Sequence, residues 1–361
     1  MAQRIAFAAG ALTMLLATPA IAHHPGGTGN TGAAGPINTI PATTLEQGHF
    51  ALALAYEYIR LGGLSNEDLI AAAARHQHVH SLKTIESPSL SAAFGITDDL
   101  MVSFRLPYVR RTNIREGHHE HDELTGAAIN SVDFRGDSEG IGDLTMFGQW
   151  RFLKNSAAGT QVAALFGVKV PTGTTNRVDR FGELFETEFQ PGSGSTDGLV
   201  GIAVTQPLRR WSLDGNVLYQ FTGNGTQDTN LGDRFQYNAA VSYRLIGGSD
   251  PLEHAHAHVV PHRHGKPVTK APTHRHEQAE RSPFALDVVL ELNGEWHDKQ
   301  VIAGVPDPNS GGNVVYLSPG VRISSGNLSG FASIGIPVVN DVNGLQSKPD
   351  FRLATGLAAA F

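Results

Sequence analysis

Residues 234–245 read RFQYNAAVSYRL, and their order sorts them into two kinds. Phe235, Tyr237, Ala239, Val241, Tyr243 and Leu245 share one parity, while Gln236, Asn238, Ala240, Ser242 and Arg244 share the other. A helix would scatter these side chains around its axis, whereas a strand places successive residues on opposite faces and so separates them. The stretch reads as a strand with one apolar and one polar face. It is also far longer than the ~5–6 residues of an average globular strand.

The same sorting recurs along the chain. Phe50, Leu52, Leu54, Tyr56 and Tyr58 oppose His49, Ala51, Ala53, Ala55 and Glu57. Leu144, Met146, Trp150 and Phe152 oppose Asp143, Thr145, Gln149 and Arg151, and Phe284, Leu286, Val288, Leu290 and Leu292 oppose Asp287, Glu291 and Asn293. At the end of the sequence Phe351, Leu353, Leu357 and Phe361 oppose Arg352, Ala354, Gly356 and Ala358. Counted this way, twelve strands are predicted near 49–59, 89–97, 100–111, 142–153, 160–171, 197–208, 211–222, 234–246, 283–296, 313–324, 327–339 and 349–361. Many approach the ~9–11 residues with which a tilted strand crosses a bilayer.

The connections alternate in length. Short turns fall at Thr97-Asp98-Asp99, Lys154 to Gly159, Arg209-Arg210 and Ser325-Gly326-Asn327, whereas long polar loops fill 60–88, 112–140, 172–195 and 223–233. Short turns at one end and long loops at the other are the pattern of a transmembrane β-barrel. The rival is a soluble β-sandwich, which also alternates but turns its apolar faces inward on shorter strands. Here Tyr56, Tyr58, Tyr108, Trp150, Phe152, Phe221 and Tyr243 cluster near strand ends, as an interfacial girdle would. The opposite faces carry Arg105, Asp143, Arg151, Lys169, Arg244, Glu291, Arg322 and Arg352, which are the predicted lumen-facing residues. Charges at mid-strand need water or partners, and a hydrated bore offers both. The expected fold is all-β: a single antiparallel barrel of about 12 strands at 49–361, both termini at the short-turn, periplasmic end.

Composition narrows the rest. The 361 residues include 40% apolar, 17% charged, 41 Gly, 17 His and no Cys, with a formal charge of -7. That apolar fraction excludes a disordered chain, and the missing thiols exclude disulfides and cysteine-based metal or nucleophilic sites. A mildly acidic chain without a dense basic run argues against nucleic acid as a partner. Residues 1–22, with Arg4, an apolar run and Ala20-Ile21-Ala22, read as a cleaved signal peptide. Residues 23–48 read as a Gly/Pro-rich periplasmic lead.

A family resemblance follows from three segments. Gly140-Ile141-Gly142-Asp143 leading into Gln149-Trp150-Arg151-Phe152, then Lys169-Val170-Pro171-Thr172-Gly173, then Gly192-Ser193-Gly194-Ser195-Thr196-Asp197 resemble the "GxGD", "KxPTG" and "PGSGSxD" segments of Gram-negative barrels described as transporters of the MetA-pathway of phenol degradation. The resemblance covers roughly 140–205. It implies an outer-membrane location and passage of small hydrophobic or aromatic compounds. Read physically, Gly140 and Gly142 let the chain run close to a neighbour, Asp143 faces water, and Pro171 and Gly173 end a strand. The aromatic Phe361 resembles the terminal signal that outer-membrane assembly machinery reads. His-rich insertions at 60–88 and 247–282 depart from a minimal member.

Those histidines form the second theme. His76, His78 and His80 alternate, as do His254, His256 and His258, followed by His262, His264, His274 and His276. Neutral imidazoles on one side of an extended chain are ligands for Zn, Cu or Ni. The alternative is a flexible polar linker punctuated by Pro251, Pro261, Pro267, Pro272 and Pro283. Two functions therefore stand beside each other: a passive channel or transporter for small solutes, needing no cofactor, and a metal-binding protein tied to resistance or uptake, with the barrel as anchor. Enzymatic chemistry is the third class and is not expected. His49 and His297 are isolated, and neither a G-x-S-x-G elbow nor an H-E-x-x-H string occurs. The partners expected are the outer-membrane bilayer, its assembly machinery and a small solute.

Overall fold

A computed structural model describes residues 34–77, 79–122, 125–247 and 284–361. Residues 1–22, assigned above to a signal peptide, and most of the 247–282 insertion lie outside the described residues. Among the described residues thirteen long strand segments build the barrel wall, in chain order: β1 (Phe50–Gly62), β2 (Thr84–Thr97), β3 (Leu100–His121), β4 (Ala128–Ile141) and β5 (Leu144–Lys154) come first. They are followed by β6 (Gln161–Val170), β7 (Asp197–Leu208), β8 (Trp211–Phe221) and β9 (Arg234–Ile246). The last four are β10 (Phe284–His297), β11 (Gly312–Ser325), β12 (Leu328–Val342) and β13 (Lys348–Ala360).

Each segment pairs antiparallel with its neighbours, and β1 pairs with both β2 and β13, so the sheet closes. The long β3 takes two partners. Its first part, Leu100 to Arg105, pairs with β5, and its second part, Tyr108 to His121, pairs with β4. β4 and β5 are thus two lengths of one stave, and the barrel has the twelve staves that the alternation predicted. The last residue helps to seal the closure. Phe50 and Phe361 exchange backbone hydrogen bonds of 3.0 and 2.8 Å, and their rings stack at 4.8 Å.

The two faces are as the parity requires. Leu54, Leu90, Leu290, Leu292, Leu328 and Leu357 are exposed on the outer wall. An apolar surface running round the whole molecule far exceeds the few hundred Å² a soluble protein leaves bare, and it matches a hydrocarbon belt. Aromatic rings border it, with Trp211 against Tyr243 at 4.6 Å at the turn end and Tyr219 against Phe221 at 4.7 Å at the loop end. Among the described residues no helix is long and apolar enough to cross a membrane.

Three expectations need revision. Strand 2 begins at Thr84 rather than near 89, and the preceding loop folds into the helix α1 (Asn66–Ala73) and a short strand, His80–Ser81, paired to β3. A capping box between Ser65 and Asp68 starts α1. The predicted loop 112–140 is instead mostly a tall hairpin, β3 continuing to His121 and β4 starting at Ala128. Beyond the membrane belt both faces meet water or polar loops, so the apolar/polar contrast that marks a strand disappears there although the ladder continues. Finally, residues 34–45 of the lead are not simply periplasmic: they fold back into the barrel and lie largely buried within it, whereas Glu46 and Gln47 are exposed where the chain leaves it.

Candidate functional site

The inner wall is polar, and two pieces of the chain occupy the space it encloses. The first is 34–47. Ile40 donates its N–H to Asn216 at 2.9 Å and Ala42 donates to Thr205 at 2.8 Å, while Gln149 Nε2 donates to the carbonyls of Pro41 and Thr43 at 3.0 and 2.7 Å. Ile40 and Ala42 also pack on Phe147, Leu165, Leu199 and Leu218. Those four are apolar residues on the inward parity, and covering them is part of what this segment does. Where it leaves the barrel, Thr44 Oγ1 donates to Asp98 O at 2.6 Å and Gly48 N–H to Gly95 O at 2.9 Å.

The second piece belongs to the connection between β6 and β7. Phe185 and Phe189 pack with Ile59, Leu61, Leu82, Ile85 and Ile114 near the loop end. Gln190 braces this loop, donating to Arg177 O at 2.9 Å and Phe185 O at 2.7 Å. Below it a cavity of about 110 Å³ is lined by Arg105, Arg111, Lys169, Arg234, Asp143, Glu188 and Gln190, among others. The barrel is therefore a polar bore stoppered from both ends.

The three sequence segments that carry the family resemblance meet at the root of this outer loop. Asp143 accepts from Gly173 N–H at 2.9 Å and from Ser193 N–H and Oγ at 2.8 and 2.7 Å. Lys169 reaches Asp143 at 3.2 Å and Asp197 at 2.9 Å, and also contacts Ser193 and Ser195. Gly173 and Gly192 pack so closely that a Cβ on either would lie 2.6 Å from the other's Cα. Asp143 thus faces loop donors and a lysine rather than open water.

The other predicted lumen residues also lie on the inner wall. Arg151 donates to Asp99 at 2.8 Å, to Gln161 at 2.8 Å and to Asp98 O at 2.7 Å, near the turn end. Arg244 pairs with Asp287, and Arg352 donates to Asn293 at 2.9 Å while its guanidinium lies 4.6 Å over the Tyr316 ring. Glu291 holds 34–47, accepting from the N–H groups of Ile37, Asn38 and Thr39 at 3.1, 2.9 and 2.9 Å. Arg322 lies beside Gly35. Arg105, in the cavity wall, has no hydrogen-bond partner for Nε and Nη2. Sequence reading did not single out Arg111 or Arg234, and it noted His297 only as an isolated histidine and Asp197 only as the end of a family segment. Their inward parity was the available signal, and Arg234 Nε does donate to His297 Nε2 at 3.0 Å.

Of the histidines named as metal ligands, His78, His254, His256, His258, His262, His264, His274 and His276 lie outside the described residues. His76 and His80 are not brought together. His76 sits in a turn with its ring 4.4 Å from that of His119, whereas His80 is buried at the loop end of the bore. Burial acts to strip the proton from His80, but the carboxylates of Glu116, Glu186 and Glu188 outweigh it and its pKa is pushed up to about 10.

Comparison with known proteins follows this geometry. A family model described as "Putative MetA-pathway of phenol degradation" matches residues 71–252. No curated protein matches the chain. Among solved structures, an outer membrane channel from Pseudomonas putida F1 superposes with a TM-score of 0.52 at 17% identity, covering 89% of this chain and 98% of that one. The CymD monoaromatic hydrocarbon channel gives 0.39 at 11% identity over 92% of this chain and 99% of its own, and a Pseudomonas aeruginosa FadL homologue gives 0.38 at 8% over 97% and 99%. At 17% identity the likeness to the Pseudomonas putida channel is one of fold.

Proposed function

Since the chain belongs to the family of the MetA-pathway of phenol degradation, an outer-membrane β-barrel family, we propose that it is a channel for passive passage of small solutes of hydrophobic or aromatic character. The observation that carries this reading is the bore itself. Its wall is polar apart from the apolar patch of Phe147, Leu165, Leu199 and Leu218, and what covers that patch and fills the turn end is a chain segment held by hydrogen bonds and packing. A barrel serving only as an anchor could fill its interior with side chains from its own wall, as the smallest barrels do.

The solute class rests on family membership and on the cavity. Arg105, Arg111 and Arg234 present guanidinium groups to one space of about 110 Å³. A guanidinium stacks on an aromatic face and also pairs with a carboxylate or phenolate oxygen, so such a lining suits a ring bearing a polar substituent better than a plain sugar.

The test is transport by refolded protein. Intact protein and a variant lacking 34–45 are reconstituted into planar bilayers and liposomes. Removal of the segment is expected to give larger and more frequent conductance steps, and phenol or benzoate is expected to equilibrate faster than a sugar of similar mass. Absence of steps and of solute entry in both proteins would overturn the channel reading, and equal entry of sugar and aromatic would overturn the solute class.

A further inference from the structure

We propose that His80, Glu186 and Glu188 form a binding site for a divalent first-row transition metal, with Zn²⁺ as its representative, which fastens the inserted outer loop to the barrel wall. The three residues come from separate parts of the chain. His80 lies on the short strand paired to β3, and Glu186 and Glu188 lie on the loop that enters the bore. One ligand atom from each falls within 4.8 Å of the others.

The imidazole is oriented as a ligand. Its Nε2 lies 3.5 Å from Glu116 Oε1, while Nδ1 faces Glu186 Oε2 at 4.0 Å. His80 is only 3% exposed, and this Nδ1 has no hydrogen-bond partner. A histidine bound to metal through one nitrogen usually gives its other N–H to a carboxylate, which fixes tautomer and ring plane. Glu116 stands in that position. Phe189 packs edge-on against the ring at 5.0 Å, and Gln300 Nε2 donates to Glu188 Oε2 at 2.9 Å, so ring and carboxylate are both held in place. Glu186 is the member reached by solvent, its side chain 36% exposed, and it gives an entry path.

Charge gives a second reason. The carboxylates of Glu186 and the buried Glu188 face His80 and favour positive charge there, and a metal ion would take the place of the imidazole proton. Asp307, also buried, adds a further negative charge acting on His80. A donor set of one nitrogen and two oxygens fits Zn²⁺, whose bonds of about 2.0–2.2 Å require these side chains to close by roughly 1 Å. Ca²⁺ takes six to eight oxygens, and Cu(I) prefers sulfur, so neither fits as well.

The experiment uses the full chain with His254, His256, His258, His262, His264, His274 and His276 changed together to Asn, so that the other imidazole-rich segment contributes nothing. This parent is titrated with ZnCl₂ against a chromophoric chelator, and heat-modifiable gel mobility confirms a folded barrel. His80→Asn and Glu188→Gln are each expected to abolish one equivalent of bound Zn²⁺ or weaken it at least tenfold, and Zn²⁺ is expected to slow hydrogen exchange over 183–190 in the parent. Glu116→Gln should weaken the same equivalent by about 10–100-fold. Should His80→Asn not fold, the nearly isosteric Glu188→Gln decides alone. No saturable uptake by the parent, or uptake unchanged by Glu188→Gln, overturns the site.

Discussion

The Glu291 carboxylate grips Asn38 from two directions, taking its backbone N–H at 3.0 and 2.9 Å on the two oxygens and its side-chain amide at 2.5 Å. A residue of β10 thereby holds a chain segment more than 250 positions away. Hydrogen bonds to a charged acceptor contribute about 1.5–3 kcal/mol each in net terms. Glu291→Gln keeps the shape and removes the charge, so the segment should leave the bore roughly tenfold more often. Single-channel recording checks this: a frequency of openings equal to that of the unaltered protein would show that Glu291 does not retain 34–47.

Asp143 is expected to govern the opposite stopper. It accepts four hydrogen bonds, from Gly173, Ser193 and Lys169. Asp143→Asn turns an acceptor-only group into one that also presents N–H groups to these donors, and it leaves Lys169 with Asp197 as its remaining carboxylate. The loop should loosen by about 1–3 kcal/mol. Limited proteolysis would then cut within 175–190 under conditions that leave the parent intact, and equal resistance would count against the assignment.

Arg105 should set ion preference once the bore is open. It lines the cavity with two donor atoms unsatisfied, and Glu57 is the opposing charge nearby. In protein lacking 34–45, Arg105→Met is expected to lower the anion-to-cation permeability ratio, read as a shift in reversal potential across a salt gradient. A rise in that ratio would mean another group controls the field.

The outer loop should also respond to alkali. His80 normally titrates near 6.5 but is pushed up to about 10 here, facing Glu116, Glu186, Glu188 and Asp307. Because its folded pKa is the higher one, the stabilisation is complete below about 6.5, declines above it, and is lost as pH rises through about 10. With chelator present, hydrogen exchange at 183–190, corrected for its intrinsic pH dependence, should accelerate across that window in the parent and stay flat in His80→Gln. A parallel response in both would remove His80 as the cause.

Much of this was legible in the residues. Parity alone separated Tyr237 from Asn238 and Trp150 from Arg151, because lipid outside and polar contacts inside impose opposite demands on neighbouring side chains. The same parity placed Arg105, Lys169 and Glu291 on the inner wall. Other features had no local signature. Residues 34–47 show no period, since their conformation is set by Asn216, Thr205 and Glu291 from remote strands. Phe147, Leu165, Leu199 and Leu218 break the polar-inside rule because Ile40 covers them. His80 stands in the sequence as one of an alternating trio, yet its neighbours are Glu116, Glu186 and Glu188 from remote parts of the chain, and no spacing rule reaches that far.

The two stoppers differ in how they are tethered. The outer loop returns to the wall at both flanks, into β6 and β7, so it can flex only where it stands. Within the described residues the segment 34–47 is continuous with the wall at β1 and is otherwise held by hydrogen bonds to Glu291, Asn216, Thr205 and Gln149. A pull on the chain ahead of Ala34 would therefore act as a lever on the inner stopper while leaving the outer one untouched.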